Sequence, residues 1–266
     1  MRLGAFSIGH KYGIITAIDT LSLTVESGEF VGILGPNGSG KTTLLRILAG
    51  ALKPGSGTVL LDGEDISKMP CKAIARKIAV VPQNGYIPFH FSVHEIVLMG
   101  REPHMRRFAR EDQQDMDIAL LAMRSTGITR FAGRSVLELS YGERQRVMIA
   151  RALAQEPGIL LADEPTSHLD PGYQVEIMDV LKSLSERENL AVLAVLHDVN
   201  LASLYCDRLI LLDHGKIVAE GSPWEVVMEE ILESVYGVKT VVKPHPVIGC
   251  PQVMSVPGFR GCQSRR

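Results

Sequence analysis

The stretch Gly35-Pro36-Asn37-Gly38-Ser39-Gly40-Lys41-Thr42-Thr43 constrains the fold of this chain more than any other segment. It fits the pattern G-x-x-x-x-G-K-[ST], in which glycines let backbone N–H groups wrap a chain of phosphates. Just before it, Glu29-Phe30-Val31-Gly32-Ile33-Leu34 reads as a short buried strand, and residues 42–49 read as the opening of a helix. A strand feeding a glycine-rich turn and then a helix N-terminus is the setting such a cradle needs. The helix dipole and its unpaired N–H groups favour an anion at that point. A glycine-rich surface turn that merely contains Lys-Thr would require neither neighbour.

The 266 residues suffice for one large domain or a core with a smaller subdomain. With 45% hydrophobic and 22% charged residues, the chain can bury a full core and keep a polar surface. A formal charge of −2 argues against a nucleic-acid partner. No apolar run approaches the roughly eighteen residues that span a bilayer. Met1-Arg2-Leu3-Gly4-Ala5 lacks the charged, apolar and cleavage regions of a secretory leader. Cys71, Cys206, Cys250 and Cys262 show neither C-x-x-C nor zinc-ligand spacing, so a reducing cytosol is expected.

Residues 3–8, 20–25 and 57–63 alternate as strands of an N-terminal antiparallel sheet, the last closed by Asp62-Gly63. Residues 77–81 form a strand that ends at Pro82-Gln83. Between 93 and about 127 the apolar period becomes helical, which predicts an inserted helical subdomain over about 90–157. Its arginines (Arg101, Arg106, Arg107, Arg110) read first as a solvated charged face and alternatively as a partner-docking or anionic-lipid surface, and Met99, Met105, Met116 and Met123 as packing. A parallel α/β pattern resumes with strands at 159–163, 190–196 and 209–213, with a helix starting at Pro171. The tail after Gly237 is rich in Val, Pro and Gly, and residues 261–266 are expected to be loose.

A phosphate cradle that works on a nucleotide also needs an acid to hold magnesium at the end of a buried strand. Ile159-Leu160-Leu161-Ala162-Asp163-Glu164 supplies two acids there. In such a site Asp163 would enter the magnesium shell and Glu164 would polarise the attacking water. Alone, the pair would serve equally well to end a strand at the turn before Pro165.

With these residues in place, the chain resembles the ATPase subunit of ATP-binding cassette transporters over most of its length. Tyr12 sits where that family stacks an aromatic ring on adenine, and Gln83 falls at its Q-loop. Leu139-Ser140-Tyr141-Gly142-Glu143-Arg144-Gln145-Arg146 lies at the signature motif, Ser167-His168-Leu169-Asp170 at the D-loop, and His197 at the switch histidine. The signature departs from Leu-Ser-Gly-Gly-Gln: Tyr141 replaces the first glycine and Glu143 the glutamine. Ser140 and Gly142 keep the contacting positions, and the ring of Tyr141 is expected to turn outward. Ser140-x-x-Glu143 also reads as a capping box at a helix start.

The resemblance implies an α/β fold: a P-loop NTPase core with an antiparallel N-terminal β-subdomain and an inserted α-helical subdomain. It implies an ATPase domain over 1–240 and a C-terminal extension over 241–266. Its cofactors would be ATP and Mg2+. Gly35, Pro36, Asn37, Gly38, Ser39, Gly40, Lys41, Thr42 and Thr43 would hold the phosphates, and Thr42, Gln83 and Asp163 the metal. Glu164 would act as base, with Gln83 and His197 sensing the γ-phosphate. Tyr12, and Ser140 and Gly142 from a facing copy, would complete the site. The implied partners are a second copy sandwiching two ATP molecules, membrane permease subunits and, indirectly, a periplasmic or surface solute-binding protein. The chain would then sit peripherally on the cytoplasmic face of the membrane.

Gly100-Arg101-x-Pro103-His104, Leu196-His197-Asp198-Val199-Asn200-Leu201-Ala202, and Gly221-Ser222-Pro223 leading to Val235-Tyr236-Gly237-Val238 resemble the subgroup that imports iron chelates, haem or vitamin B12. Another solute such as molybdate, an exporter, and a soluble cassette ATPase are the alternatives.

Overall fold

The structure, a computed structural model, describes residues 1–83, 89–106 and 110–258. Arg107, Cys262 and the 261–266 tail lie outside the described residues. The chain opens with a long hairpin, β1 (Arg2–Tyr12) and β2 (Ile15–Glu26), followed by β3 (Phe30–Leu34) and helix α1 (Lys41–Leu48). It returns as β4 (Ser56–Leu61) and β5 (Glu64–Asp65), then α2 (Cys71–Ala75) and β6 (Ile78–Val81). Helices α3 (Val93–Leu98), α4 (Gln113–Ser125) and α5 (Tyr141–Leu153) precede β7 (Ile159–Asp163). Next come α6 (Pro171–Glu188), β8 (Ala191–Val195), α7 (Val199–Tyr205), β9 (Arg208–Asp213) and β10 (Lys216–Gly221). Two short helices, α8 (Pro223–Val226) and α9 (Glu229–Tyr236), lead into the hairpin β11 (Thr240–Pro244) and β12 (Pro251–Ser255).

Two sheets organise the core. One is antiparallel, in the order β2-β1-β4-β5; the other runs β10-β9-β3-β8-β7-β6 and is parallel except for β10. Strands β3, β7 and β8 are buried at every residue, which is why they read as unbroken apolar runs. Successive side chains alternate between faces. Val31 and Ile33 join the core shared with α1 and the antiparallel sheet, while Phe30 and Leu34 join the core under α5, α6 and α7. This sandwich holds the C-terminal ends of β3, β7 and β8 side by side, and there the loops carrying the chemistry emerge.

The helical segment has a core of its own, including Val93, Val97, Met123, Phe131, Val147 and Ala150. Helices α3, α4 and α5 each begin with a reciprocal capping box, on Ser92/Glu95, Asp112/Asp115 and Ser140/Glu143.

Two expectations need correction. Arg101 is not on a solvated face: it is 4% exposed, paired with Asp115 at 2.9 Å and Glu156 at 2.7 Å, and it donates to the Ala154 carbonyl. Its guanidinium fastens the 3-10 turn after α3 (Met99–Arg101) to both α4 and the end of α5, whereas Arg106 and Arg110 are exposed. Of the methionines, Met123 packs fully, but Met99 and Met116 are largely exposed. The C-terminal tail also carries more structure than its composition suggests. Asn200 at the start of α7 clamps it, accepting from the Val253 N–H at 2.6 Å and donating to the Val253 carbonyl at 3.1 Å.

Candidate active site

The loop between β3 and α1 is shaped by close packing. Gly35 has φ 145°, and a Cβ there would lie 2.1 Å from the Leu212 carbonyl oxygen, so no other residue fits. Gly40 caps α1 without a side-chain acceptor, and the first helical bond runs from Leu44 N–H to the Gly40 carbonyl. The N–H groups of Lys41, Thr42 and Thr43 therefore stand at an uncapped helix N-terminus, where the dipole favours negative charge. Lys41 is 6% exposed and its Nζ donates to the Gly35 and Pro36 carbonyls at 2.7 and 2.8 Å. Burial pulls its ammonium below the ordinary lysine range, opposed by the nearby Glu164 and Asp163 carboxylates. Ser39 Oγ is buried among the described residues without a hydrogen-bond partner. An uncapped helix start, a buried cation and an orphaned hydroxyl are donors that a polyphosphate would satisfy.

Asp163 ends β7 8% exposed, facing Thr42, whose Oγ1 donates to Oδ1 at 3.4 Å. Burial pushes its carboxyl above the usual range; the Thr42 hydrogen bond opposes this and the Glu164 charge adds to it. A buried carboxylate paired with a hydroxyl, both oxygen donors, fits a hard divalent cation such as magnesium.

Glu164 follows in the left-handed region at φ 51°, a strained conformation for a non-glycine residue. Three donors converge on its carboxylate. Gln83 Nε2 and Ser167 Oγ reach Oε2 at 2.6 and 2.8 Å, and His197 Nε2 reaches Oε1 at 2.6 Å. Because a carboxylate only accepts, His197 Nε2 carries the proton here. Burial alone would raise the Glu164 carboxyl, but the bonds from Ser167 and His197 outweigh it and hold the group below the ordinary glutamate range.

The structure thus brings together Lys41, Thr42, Asp163, Glu164, Gln83 and His197, and adds Ser167. The sequence reading had placed Ser167 in a motif without giving it a role. Its signal is positional: a hydroxyl three residues after an acid, in a turn closed by Ser167 N–H to the Glu164 carbonyl at 3.1 Å. Gln83 rests on Glu164 and not on Asp163. Tyr12 stands apart from this group, 47% exposed at the tip of the first hairpin and edge-on to His10 at 4.8 Å.

Ser140 caps α5, and Gly142 two residues later is buried where a Cβ would lie 2.7 Å from the ring of Tyr173. The ring of Tyr141 does not turn outward. It is half-buried, edge-on to His168 at 6.1 Å, with its hydroxyl 3.5 Å from the Gln83 carbonyl oxygen.

Comparison with known proteins places this geometry. A sequence model of the ABC transporter family matches residues 18–167. The ferric enterobactin transport ATP-binding protein of Escherichia coli (strain K12) is 43% identical, over 95% of this chain and 93% of that protein. Among solved structures, a metal-chelate type ABC transporter in an inward-facing conformation superposes with a TM-score of 0.84 at 28% identity, over 96% of this chain and 97% of the other. A dimeric ATP-binding cassette in a post-hydrolysis state with ADP and phosphate gives a TM-score of 0.72 at 33% identity, over 83% and 98% respectively.

Proposed function

The chain belongs to the ABC transporter family of ATP-hydrolysing subunits, and from that premise we propose that it energises import of a ferric chelate through a membrane permease. The observation that carries the catalytic half is the Glu164 carboxylate, held by His197, Gln83 and Ser167 beside the lysine of the phosphate loop. ATP is the substrate. The uncapped N–H groups of Lys41, Thr42 and Thr43, with the Lys41 ammonium, receive its phosphates. Thr42 and Asp163 would hold magnesium, with Gln83 joining them, and the chemistry supplied there would be charge neutralisation at the phosphates. Glu164, ionised at neutral pH, takes a proton from the attacking water, and His197 fixes the orientation of its carboxylate.

Two copies facing each other would bring Ser140 and Gly142 of one to the nucleotide of the other, the arrangement suggested by the dimeric cassette with ADP and phosphate. Tyr12 would stack on the adenine. The ATPase domain covers about 1–240, with the helical subdomain inserted at about 90–157 and the extension after 241. Among the described residues no helix is long and apolar enough to cross a membrane. The transport path therefore belongs to a permease, with the chain docked peripherally at the cytoplasmic face and a solute-binding protein delivering cargo on the far side.

The 43% identity to a ferric enterobactin subunit is equalled by a hemin import subunit, so the uptake assay decides among siderophore, haem and cobalamin. The test is to tag the chain in its native cell, solubilise membranes gently and identify what co-purifies, then measure uptake of labelled ferric siderophore in a strain lacking it. A polytopic permease and lost siderophore uptake support the reading. Lost haem or cobalamin uptake would move the cargo within the same function. A chain that captures no membrane protein would leave a soluble ATPase.

A further inference from the structure

Tyr141 is, with Glu143, one of two residues at which this chain departs from its family's signature, and its surroundings give that departure a role. The ring begins α5, yet it reaches across to two other loops of the same chain. Its hydroxyl faces the backbone carbonyl of Gln83 at 3.5 Å, and its edge-on partner at 6.1 Å is His168. The side chain of that same Gln83 is bonded to Glu164 Oε2 at 2.6 Å. His168 follows the turn that Glu164 opens and Ser167 closes, and His168 and Glu164 are both held in the left-handed region, at φ 63° and 51°. One aromatic side chain therefore touches two of the three segments that bear on the carboxylate. A glycine at 141 would reach neither.

The consequence follows from what Glu164 must do. Two of its acceptor sites are taken by Gln83 and Ser167 on one oxygen, and His197 holds the other. One acceptor site on Oε1 stays open, and release of Gln83, the donor that the proposed metal site also calls on, would open a second. The N-terminus of α5, to which Tyr141 belongs, is also the surface offered to a facing copy.

We infer that Tyr141 is a positioning residue that parks Gln83 on Glu164 while the chain is unengaged and releases it when the start of α5 is engaged by a second copy. It acts through Gln83 and touches no reacting atom. The inference rests on the proposed roles of Gln83 and Glu164.

The test uses the full chain, with Tyr141→Phe removing only the hydroxyl and Tyr141→Gly restoring the family residue. Steady-state ATP turnover of Tyr141→Phe is expected to rise about two- to threefold, the rate equivalent of losing one long, weak hydrogen bond, with KM for ATP within about twofold of wild type. A second readout does not depend on turnover: the side-chain amide resonance of Gln83, assigned by its loss in Gln83→Leu, should move in Tyr141→Phe. Tyr141→Gly should exceed Tyr141→Phe in turnover; should it fail to fold, the isosteric Phe variant decides alone. Unchanged or reduced turnover in Tyr141→Phe overturns the inference, whatever the resonance does. So does a change in KM alone, which would make Tyr141 a contact to the facing copy's nucleotide. Glu164→Gln separates the two failures: if that variant turns over normally, the underlying site reading falls, and if it is inactive while Tyr141→Phe is unchanged, only the latch falls.

Discussion

Gln83 and Glu164 are bonded side chain to side chain at 2.6 Å, so the residue expected at the metal rests on the candidate base. The two arrive from different strands, β6 and β7, which pair in parallel from Ile78 with Ile159 to Val81 with Ala162. That register delivers the loop after β6 to the acid after β7. Exchange of Gln83 between the carboxylate and the metal site would couple the loop's position to hydrolysis without moving the strands.

Glu164→Gln keeps the shape and the hydrogen-bond acceptor but cannot take a proton. Turnover should fall by about a hundredfold or more, the usual worth of a positioned base. ATP binding should persist, and with ATP the variant should elute as a stable dimer on size exclusion. Normal multiple turnover would remove Glu164 from the mechanism.

His197→Ala removes the donor on Glu164 Oε1. The carboxyl is held below its ordinary range partly by that bond, so losing it raises the folded-state value. A base must be deprotonated to act, and the acid limb of the kcat profile should therefore move to higher pH while the maximum falls steeply. Equilibrium ATP binding should be nearly unchanged. A profile that keeps both its height and its acid limb would show that His197 neither orients nor tunes the carboxylate.

The centre of this arrangement was legible because its signals are local. The strand, loop and helix around residues 30–48 and the acids ending β7 each lie within one short window, where pattern and chemistry coincide. The Ser140/Glu143 capping box is likewise a four-residue signal. What escaped depends on distant partners. Arg101 looks like surface to any hydropathy scale, and its burial is possible only because Asp115 and Glu156 meet it from two other helices or their ends. The direction of the Tyr141 ring depends on where Gln83 and His168 lie, far away in the chain. The first strand is longer than its alternation suggests, because Ser7 at φ 49° and the register shift between Ala5 and Ile8 break the period of two. The terminal hairpin is short, Pro-rich and pinned by one asparagine side chain of α7.

Gly142→Ala tests the packing behind the signature. The new Cβ would stand 2.7 Å from Tyr173 Cδ1 and 2.9 Å from Cγ, well inside contact distance, so the ring or the first turn of α5 must shift. Overpacking of this kind costs about 1–3 kcal/mol. Urea denaturation should show that loss, and turnover should fall with it. A variant as stable as wild type would mean that Tyr173 swings aside freely.

Arg101→Met should be the most destabilising of these changes. The guanidinium is the cation beside Asp115, whose side chain is itself largely buried, and it also satisfies the Ala154 carbonyl. Methionine fills similar volume but leaves the carboxylate uncompensated, a loss of about 3 kcal/mol. The pH dependence gives the sign independently. The Arg101 hydrogen bond holds the Asp115 carboxyl below its ordinary value, against burial that would raise it. In the wild type this contribution is therefore present above the unfolded value and lost as pH falls through the folded one. Without Arg101 the helix cap and nearby His104 are left to oppose burial, so the folded-state value rises, and acidification no longer removes that contribution. Urea midpoints measured at neutral pH and near pH 3 should then differ less for Arg101→Met than for wild type, and Arg101→Met/Asp115→Asn should recover part of the loss at neutral pH. Equal midpoints for the single variant and wild type at neutral pH would show that the pair holds the helical segment no better than packing alone.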